Sequence, residues 1–182
     1  MTKYCGRKPG LELWDIYDDE RKKTGKTMVR GQAFEAGANH LVIHVCIFNA
    51  KNEMLIQQRQ SFKQGWPNLW DVSLGGSALA GENSREAAQR EAFEELGLRL
   101  DLEGVKPQVC VTFEHGFDDF YLVEQEVCLE ELKLQQSEVQ AVRWASREEV
   151  LHLLETKEFL PFCRSFIQWL FDCRRCDGCL EK

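Results

Sequence analysis

Three glutamates on one predicted helix carry the clearest chemical signal in the sequence. Glu91, Glu94 and Glu95 stand at i, i+3 and i+4, so a helix places their carboxylates on one face. Carboxylates at this spacing repel one another by about 0.2–0.5 kcal/mol per pair unless water or a cation neutralises them. Their oxygens suit hard divalent ions, with Mg²⁺ the first choice and Mn²⁺ the second. The spacing alone also fits an ordinary solvated acidic face, so the surrounding sequence has to decide between the two interpretations.

A longer pattern surrounds these glutamates. Gly76 is followed after five residues by Glu82, and after seven more by the run REAFEELGL from Arg90 to Leu98. This run matches the Nudix box, Gly-x5-Glu-x7-Arg-Glu-U-x-Glu-Glu-x-Gly-U with U apolar, at every position. The chain therefore resembles the Nudix hydrolase superfamily. The resemblance implies a Nudix-type α/β/α sandwich with a mixed central sheet. It also implies a metal-dependent hydrolase that cleaves the diphosphate linkage of a nucleoside diphosphate derivative or a related small molecule.

The residue types of the box suit the attack of water on a diphosphate. Because a diphosphate is polyanionic, divalent ions are needed to neutralise its oxygens and to lower the pKa of bound water. We expect Glu91, Glu94 and Glu95 to hold these ions. We expect Gly75 and Gly76 to let the backbone pass close to the helix and its ions.

The remaining charged residues of the box have supporting roles in this interpretation. We expect Arg90 to orient a neighbouring carboxylate such as Glu82, rather than to contact substrate. The residues leave three candidates open for the general base: Glu94, Glu91 and Glu126, in that order.

Around the box, the chain also resembles the branch of the superfamily that contains isopentenyl-diphosphate isomerase. In the isomerase, the residues that match Arg59 and Lys63 bind the diphosphate, and those that match His40, Glu124 and Glu126 bind metal. From this resemblance we take Glu126 as a further metal ligand, and Arg59 and Lys63 as substrate-binding residues. Gly75 and Gly76, which pass close to the helix, and Phe162, whose ring could stack on a base, complete the expected substrate-binding set. His40 is better explained as a hydrogen-bonded histidine at the edge of a strand, because the matching ligands are incomplete.

Isomerase chemistry itself is disfavoured by two substitutions. The catalytic cysteine of the isomerase falls at Gly75, and one of its metal-binding histidines falls at Ser77. Alkene isomerisation needs a group that moves a proton at carbon, and glycine has none. An isomerase-like enzyme therefore remains an alternative, as does a non-catalytic nucleotide-binding module with the same fold. The complete set of acids favours the hydrolase over both.

The composition limits the partners and the location. The 182 residues carry a net charge of −7, which argues against a nucleic-acid polymer or a membrane surface as partner. No apolar run is long enough for a membrane span, and no secretory signal is seen. We expect a cytoplasmic protein that acts on a small-molecule diphosphate, and we leave its oligomeric state open.

We expect one domain over 1–182, with an N-terminal strand and hairpin at about 1–38 and a C-terminal helix and cysteine-containing tail at about 159–182.

Hydrophobic patterning and capping signals predict the elements. A strand at 11–17 is followed by a turn at 21–26, and helices begin after Asn83 and Ser146, each of which starts a capping box. The predicted strands after the turn span 40–48, 54–59, 70–74, 108–114, 120–130 and 139–145, and the predicted helices end at Gly97, at 154 and, for a last helix from 160, at 171.

The eight cysteines are not expected to form disulfides. Cys46, Cys110, Cys128 and Cys163 lie in apolar runs, which predicts buried thiols. The C-terminal CxxCxxC of Cys173, Cys176 and Cys179 predicts a reduced tail rather than a zinc site, because three cysteines alone do not make the usual ligand set.

Overall fold

The described part of the chain folds into nine strands and three α-helices. The computed structural model describes residues 12–174, 176 and 180. In chain order the elements are β1 Leu13–Tyr17, β2 Lys23–Val29, β3 His40–Phe48, β4 Met54–Arg59, β5 Trp70–Asp71, β6 Leu74–Ser77, α1 Ser84–Leu96, β7 Val109–Phe113, β8 Gly116–Glu124, β9 Val139–Ala145, α2 Arg147–Glu155 and α3 Arg164–Cys173, with a short 3₁₀ turn at Leu129–Glu131 before β9.

The long apolar strand β3 lies at the centre of a seven-stranded mixed sheet. It runs parallel to β8, from His40 opposite Gly116 to Phe48 opposite Glu124, and antiparallel to β4 and β6. β4 in turn carries β5 and β9, and β8 carries β7. Because β3 has neighbours on both edges and helices over both faces, nearly all of its residues are apolar.

Side chains of β3 alternate between two cores, one on each face of the sheet. Val45 and Ile47 pack in the core that contains α1, whereas Cys46 and Phe48 pack in the core that contains α2 and α3. The alternation follows from the two-residue period of a strand. The result is a helix layer on each face, which confirms the predicted α/β/α sandwich with a mixed sheet.

Helix α1 is fixed at both ends by local sequence. The Asn83 side chain accepts a hydrogen bond from the Glu86 N–H at 3.0 Å, and the Glu86 carboxylate accepts one from the Asn83 N–H at 2.9 Å. Gly97 ends the helix in the left-handed region, with φ 67°. These caps confirm the predicted helix. They also fix the rotation of α1, and therefore the direction in which its glutamates point.

A two-stranded sheet, β1 with β2, packs beside the segment that leads into α1. The Ala80 N–H donates to the Leu13 carbonyl at 2.7 Å, and the Gly81 N–H donates to the Asp15 carboxylate at 2.8 Å. The predicted turn at 21–26 is too long, because Lys23 already begins β2.

Other boundaries also differ from the sequence prediction, and three of them affect the site. The glycine pair Gly75-Gly76 lies inside β6, because this short strand pairs with β3. Strand β8 begins at Gly116 and ends at Glu124, so the predicted strand at 120–130 is displaced. The last helix begins at Arg164 rather than at 160, which leaves Phe162 in the preceding loop.

Of the four cysteines predicted to be buried, only Cys46 is. Cys110, Cys128 and Cys163 are exposed, because their segments lie at the edge of the sheet or in loops. Cys173 and Cys176 are half-buried, and Cys179 lies outside the described residues. Over the described part of the chain, every helix is too short or too polar to cross a membrane.

Candidate active site

The acidic face of α1 lines a cleft of about 270 Å³. Glu91, Glu94 and Glu95 all reach it, as their helical spacing predicts. The Glu94 side chain is 43% exposed, whereas that of Glu91 is 15% exposed and Glu95 is buried. The cleft is lined by Glu12, Arg30, Val42, His44, Arg59, Lys63, Trp66, Asp71, Gly75, Gly76, Ser77, Leu79, Arg90, Glu91, Glu94, Glu95, Gln135, Glu138 and Leu160.

Arg90 organises the carboxylates from inside the protein. Its guanidinium is buried and donates to both carboxylate oxygens of Glu82, at 2.7 and 3.0 Å. One terminal nitrogen also donates to Glu91 at 2.8 Å and to Glu94 at 3.0 Å, and the other donates to the Ser77 carbonyl at 3.1 Å. Although burial opposes the charge, these acceptors raise the pKa of Arg90. Arg90 therefore stays cationic and contacts the acids that it is expected to orient; the orienting role itself stays a prediction.

Two of the acids are costly to ionise. Burial raises the pKa of Glu91 to about 7, although Arg90 acts to lower it. Burial also raises the pKa of Glu95 well above its ordinary value, and the nearby charge of Glu91 adds to the shift. The Glu95 carboxylate accepts one hydrogen bond, from the Gln57 side-chain amide at 3.2 Å. The amide oxygen of Gln57 is buried and has no hydrogen-bond partner in the described part of the chain.

The two glycines of β6 make room for functional side chains on opposite faces. A Cβ at Gly76 would collide with the Glu91 carboxylate, and a Cβ at Gly75 would lie 2.5 Å from the His44 ring. A side chain at either position would have to displace one of these groups. The close approach of backbone to acid agrees with the expectation for Gly76.

The donor set fits a hard divalent cation. Three carboxylates share a cleft, two of them have raised pKa values, and a buried amide oxygen beside Glu95 lacks a partner. Among the described residues, there is no preformed metal site in which three or more Asp, Glu, His or Cys side chains converge. Arg90 instead stands between Glu91 and Glu94. The carboxylate oxygens that Arg90 does not contact are those that could bind Mg²⁺ or Mn²⁺.

Basic residues line another part of the same cleft. Arg59 donates to the Gly65 carbonyl at 3.1 and 3.2 Å and lies 3.6 Å from the buried Asp71 carboxylate. Lys63 forms an ion pair with Glu138. Arg59, Lys63, Gly75 and Gly76, four of the five predicted substrate-binding residues, therefore surround one cavity.

Two predicted site residues lie outside the cleft. The Glu126 carboxylate accepts a hydrogen bond from the Ala50 N–H at 2.7 Å, beyond the end of β8. Because Glu124 pairs with Phe48, Glu126 lies past the end of β3, whereas the cleft contacts that strand at Val42. Measured from His44, the nearer of the two β3 residues that line the cleft, Glu126 is six residue positions away, which is roughly 20 Å at about 3.3 Å per residue. We therefore withdraw Glu126 as metal ligand and as candidate base.

Phe162 packs against other aromatic rings instead of facing the cleft. Its ring lies 5.9 Å from that of His44 and 6.2 Å from that of Phe166. It supports the wall of the site from behind, and Leu160 lines the cleft in its place.

Glu138 lines the cleft, although the sequence does not single it out. It precedes β9, and the nearby Gln135 N–H donates to the Glu95 carbonyl at 2.8 Å. This contact brings the segment to the acidic face of α1. Nothing in the sequence around Glu138 distinguishes it from other surface acids, because its position depends on the packing of β9 against β4.

His40 is a buried aromatic partner, not a hydrogen-bonded histidine. Its ring stacks on Trp14 at 4.4 Å, and its Nδ1 has no hydrogen-bond partner among the described residues. Burial lowers the pKa of His40 to about 4. The predicted strand-edge hydrogen bond is therefore wrong.

Fold and site together define a mixed α/β sandwich whose capped helix presents clustered carboxylates to a cleft with basic residues. The chain belongs to the Nudix family, since the NUDIX domain model matches residues 38–170. It is thus a Nudix hydrolase, an enzyme of the pyrophosphohydrolase type.

Two related sequences and one solved structure are similar to this chain. The chain is 47% identical to an uncharacterised Nudix hydrolase of Listeria monocytogenes, over 89% of this chain and 95% of that protein. It is 33% identical to an isopentenyl-diphosphate Delta-isomerase of Pectobacterium atrosepticum, over 62% of this chain and 60% of that enzyme. A Deinococcus radiodurans crystal structure shares the fold with a TM-score of 0.71 at 22% identity, covering 90% of this chain and 100% of that one. The similarity to the isomerase is therefore present, but it has a lower identity and covers less of the chain than the similarity to the Listeria protein.

Proposed function

We propose that this enzyme hydrolyses the diphosphate linkage of a nucleoside diphosphate derivative or a related small molecule, with Mg²⁺ or Mn²⁺ bound by Glu91, Glu94 and Glu95. The observation that carries the proposal is the placement of these carboxylates in one cleft with Arg59 and Lys63. A cleft of about 270 Å³ is close to the lower end of the size range of small-molecule sites.

The bound ion would supply neutralisation of the phosphate oxygens and a water of lowered pKa. The chain's own residues then have separate tasks. Arg59 and Lys63 bind phosphate oxygens that the acids cannot approach. For Lys63 this requires release from Glu138, its partner in the present structure.

Arg90 holds Glu91 and Glu94 in place through its buried contacts, and does not itself reach the substrate. A carboxylate in the cleft takes the proton of the attacking water. With Glu126 withdrawn, the candidates for this base are Glu94, Glu91 and Glu138. The 43% exposure of the Glu94 side chain gives it the most direct access to water.

Isomerisation is disfavoured by the structure around Gly75. The residue has no side chain, and the ring of His44 occupies the space in which one would lie. The similarity to the isomerase therefore includes residues that line the cleft, such as Arg59 and Lys63, but position 75 lacks a proton-donating thiol.

The test is to incubate the purified enzyme with Mg²⁺ or Mn²⁺ and a panel of nucleoside diphosphate derivatives, and to identify the products by mass spectrometry. Phosphate-containing products that disappear on addition of a chelator are expected. A parallel incubation with isopentenyl diphosphate should yield no isomer. Isomer formation without hydrolysis of any compound would overturn the proposal. Tight binding of a nucleotide without turnover would favour a binding module instead.

A further inference from the structure

His44 lies in the cleft, outside the Nudix box, in a rigid aromatic setting. Its ring stacks on Phe120, with centroids 4.8 Å apart and planes inclined by 12°, and meets the edge of Phe162 at 5.9 Å. It is positioned by β3, directly opposite Gly75 of β6. A Cβ at position 75 would lie 2.8 Å from Nε2 and 2.5 Å from Cδ2. Any side chain at position 75 would therefore cover the Nε2 edge of the ring.

The other ring nitrogen is already engaged. His44 Nδ1 lies 2.8 Å from the Asp118 carboxylate, and both side chains are largely buried, with 14% and 16% exposed. An ionised carboxylate only accepts, so Nδ1–H donates to Asp118 and fixes the ring orientation. Nε2 has no hydrogen-bond partner among the described residues, and His44 is one of the residues that form the cleft wall.

The charges around His44 favour the protonated ring. Burial acts against the charge, but the hydrogen bond with Asp118 raises the pKa of His44. Asp71 of β5 adds to this effect and Arg59 of β4 opposes it. A protonated ring presents Nε2–H as a donor. His44 and Arg59 are then two cations in one cleft, each beside an aspartate: the partly buried Asp118 and the buried Asp71, respectively.

We propose that His44 is a substrate-binding residue whose Nε2–H donates to a phosphate oxygen, and that Asp118 is the residue that positions it. The phosphate so bound lies on the Arg59 side of β6, because His44 packs over Gly75 whereas Glu91 packs over Gly76. This inference rests on the proposed hydrolase function. It adds a phosphate subsite formed by protein cations, separate from the carboxylates.

The first test is direct binding, followed by ¹⁵N NMR of the histidine side chains. The probe is methylenediphosphonate, whose P–C–P bridge cannot be hydrolysed, added with saturating Mg²⁺. The His44 signals are assigned by their loss in His44→Gln. We expect the Nε2 resonance of His44 to shift on addition of the probe, while that of His152, exposed on α2, stays in place. An unmoved His44 signal while the Gly76 amide shifts to saturation would overturn the inference.

The second test separates binding from turnover. His44→Phe keeps an aromatic ring against Phe120 but removes the donor, so KM for the diphosphate substrate should rise at least tenfold with kcat changed less than threefold. Asp118→Asn should raise KM in the same direction by a smaller factor, and His152→Phe should change neither constant. If His44→Phe does not fold, His44→Gln is assayed in its place. A KM equal to that of the wild type in the His44 variant would overturn the role of His44. Hydrolysis by the wild-type enzyme would still support the proposed function. If the wild type hydrolyses no diphosphate, the proposed function fails, and the NMR measurement still decides whether His44 binds phosphate.

Discussion

The buried guanidinium of Arg90 forms a two-point ion pair with the partly buried Glu82 carboxylate, with nitrogen–oxygen distances of 2.7 and 3.0 Å. The Glu82 carboxylate also accepts from the Leu79 N–H at 2.9 Å, which ties the loop before α1 to the helix. The geometry explains why the box needs arginine at this position, because a planar guanidinium reaches Glu82, Glu91 and Glu94 at once.

Replacing Arg90 by lysine should weaken metal binding without removing any metal ligand. A single ammonium cannot keep all these contacts, so the glutamates lose their orientation. We expect the Mg²⁺ concentration for half-maximal activity to rise about 10–100-fold. Arg85→Lys on the same helix, whose partner Glu103 is exposed, is the control and should be unchanged. An unaltered Mg²⁺ dependence in Arg90→Lys would contradict the orienting role.

Glu94→Gln should abolish turnover with little effect on stability. The Glu94 carboxylate contributes to the acid cluster but is 43% exposed, so the core does not depend on it. We expect kcat to fall at least 100-fold at saturating Mg²⁺, on the order of 3 kcal/mol, with an unchanged or slightly higher melting temperature. Glu148→Gln, at an exposed position of α2, is the matched control. Near-full activity of Glu94→Gln would refute the assignment of metal ligands.

Glu138→Gln and Glu126→Gln form a pair that tests the revised site. Glu138 lines the cleft and pairs with Lys63, whereas Glu126 bonds to the Ala50 backbone away from it. We expect kcat/KM to fall at least tenfold in Glu138→Gln and by less than twofold in Glu126→Gln. Steady-state kinetics under identical conditions measures both. The reverse order would restore the original prediction for Glu126.

Gly76→Ala should displace the Glu91 carboxylate. The added methyl collides with it, and the resulting overpacking typically costs about 1–3 kcal/mol. We expect a lower melting temperature together with a tenfold or greater loss of kcat. Gly65→Ala is the control, since a Cβ there has no heavy atom within 4 Å. Wild-type activity in Gly76→Ala would show that Glu91 does not need this close approach.

His40 should make the unfolding free energy depend on pH. Its pKa is lowered from 6.5 to about 4 in the folded protein, so the unfolded chain binds more protons between these values. Stability is therefore fully present above pH 6.5 and is lost as the pH falls towards 4. The loss is on the order of 2 kcal/mol, because solvent still screens part of the charge on a protonated ring. Urea unfolding from pH 7 to 4.5 should show a smaller decline for His40→Phe than for the wild type. Parallel curves would contradict the burial of a neutral ring.

The sequence by itself determined the helix that carries the chemistry. Asn83, Glu86 and Gly97 fix both ends of α1 through contacts with near neighbours, and a 3.6-residue period then places Glu91, Glu94 and Glu95 together. Such contacts depend on residues a few positions apart, so they can be read without knowledge of the fold.

The rest of the site depended on the tertiary structure. His44 meets Asp118 across 74 residues, and Lys63 meets Glu138 across 75, because strands distant in sequence pair in a particular register. The error at Glu126 has the same origin. β8 begins at Gly116, where only glycine fits against the His40 carbonyl, and the parallel register set there ends the strand at Glu124. Alternation along one strand predicts which side chains share a face, but only the pairing of strands decides which of them reach the cleft.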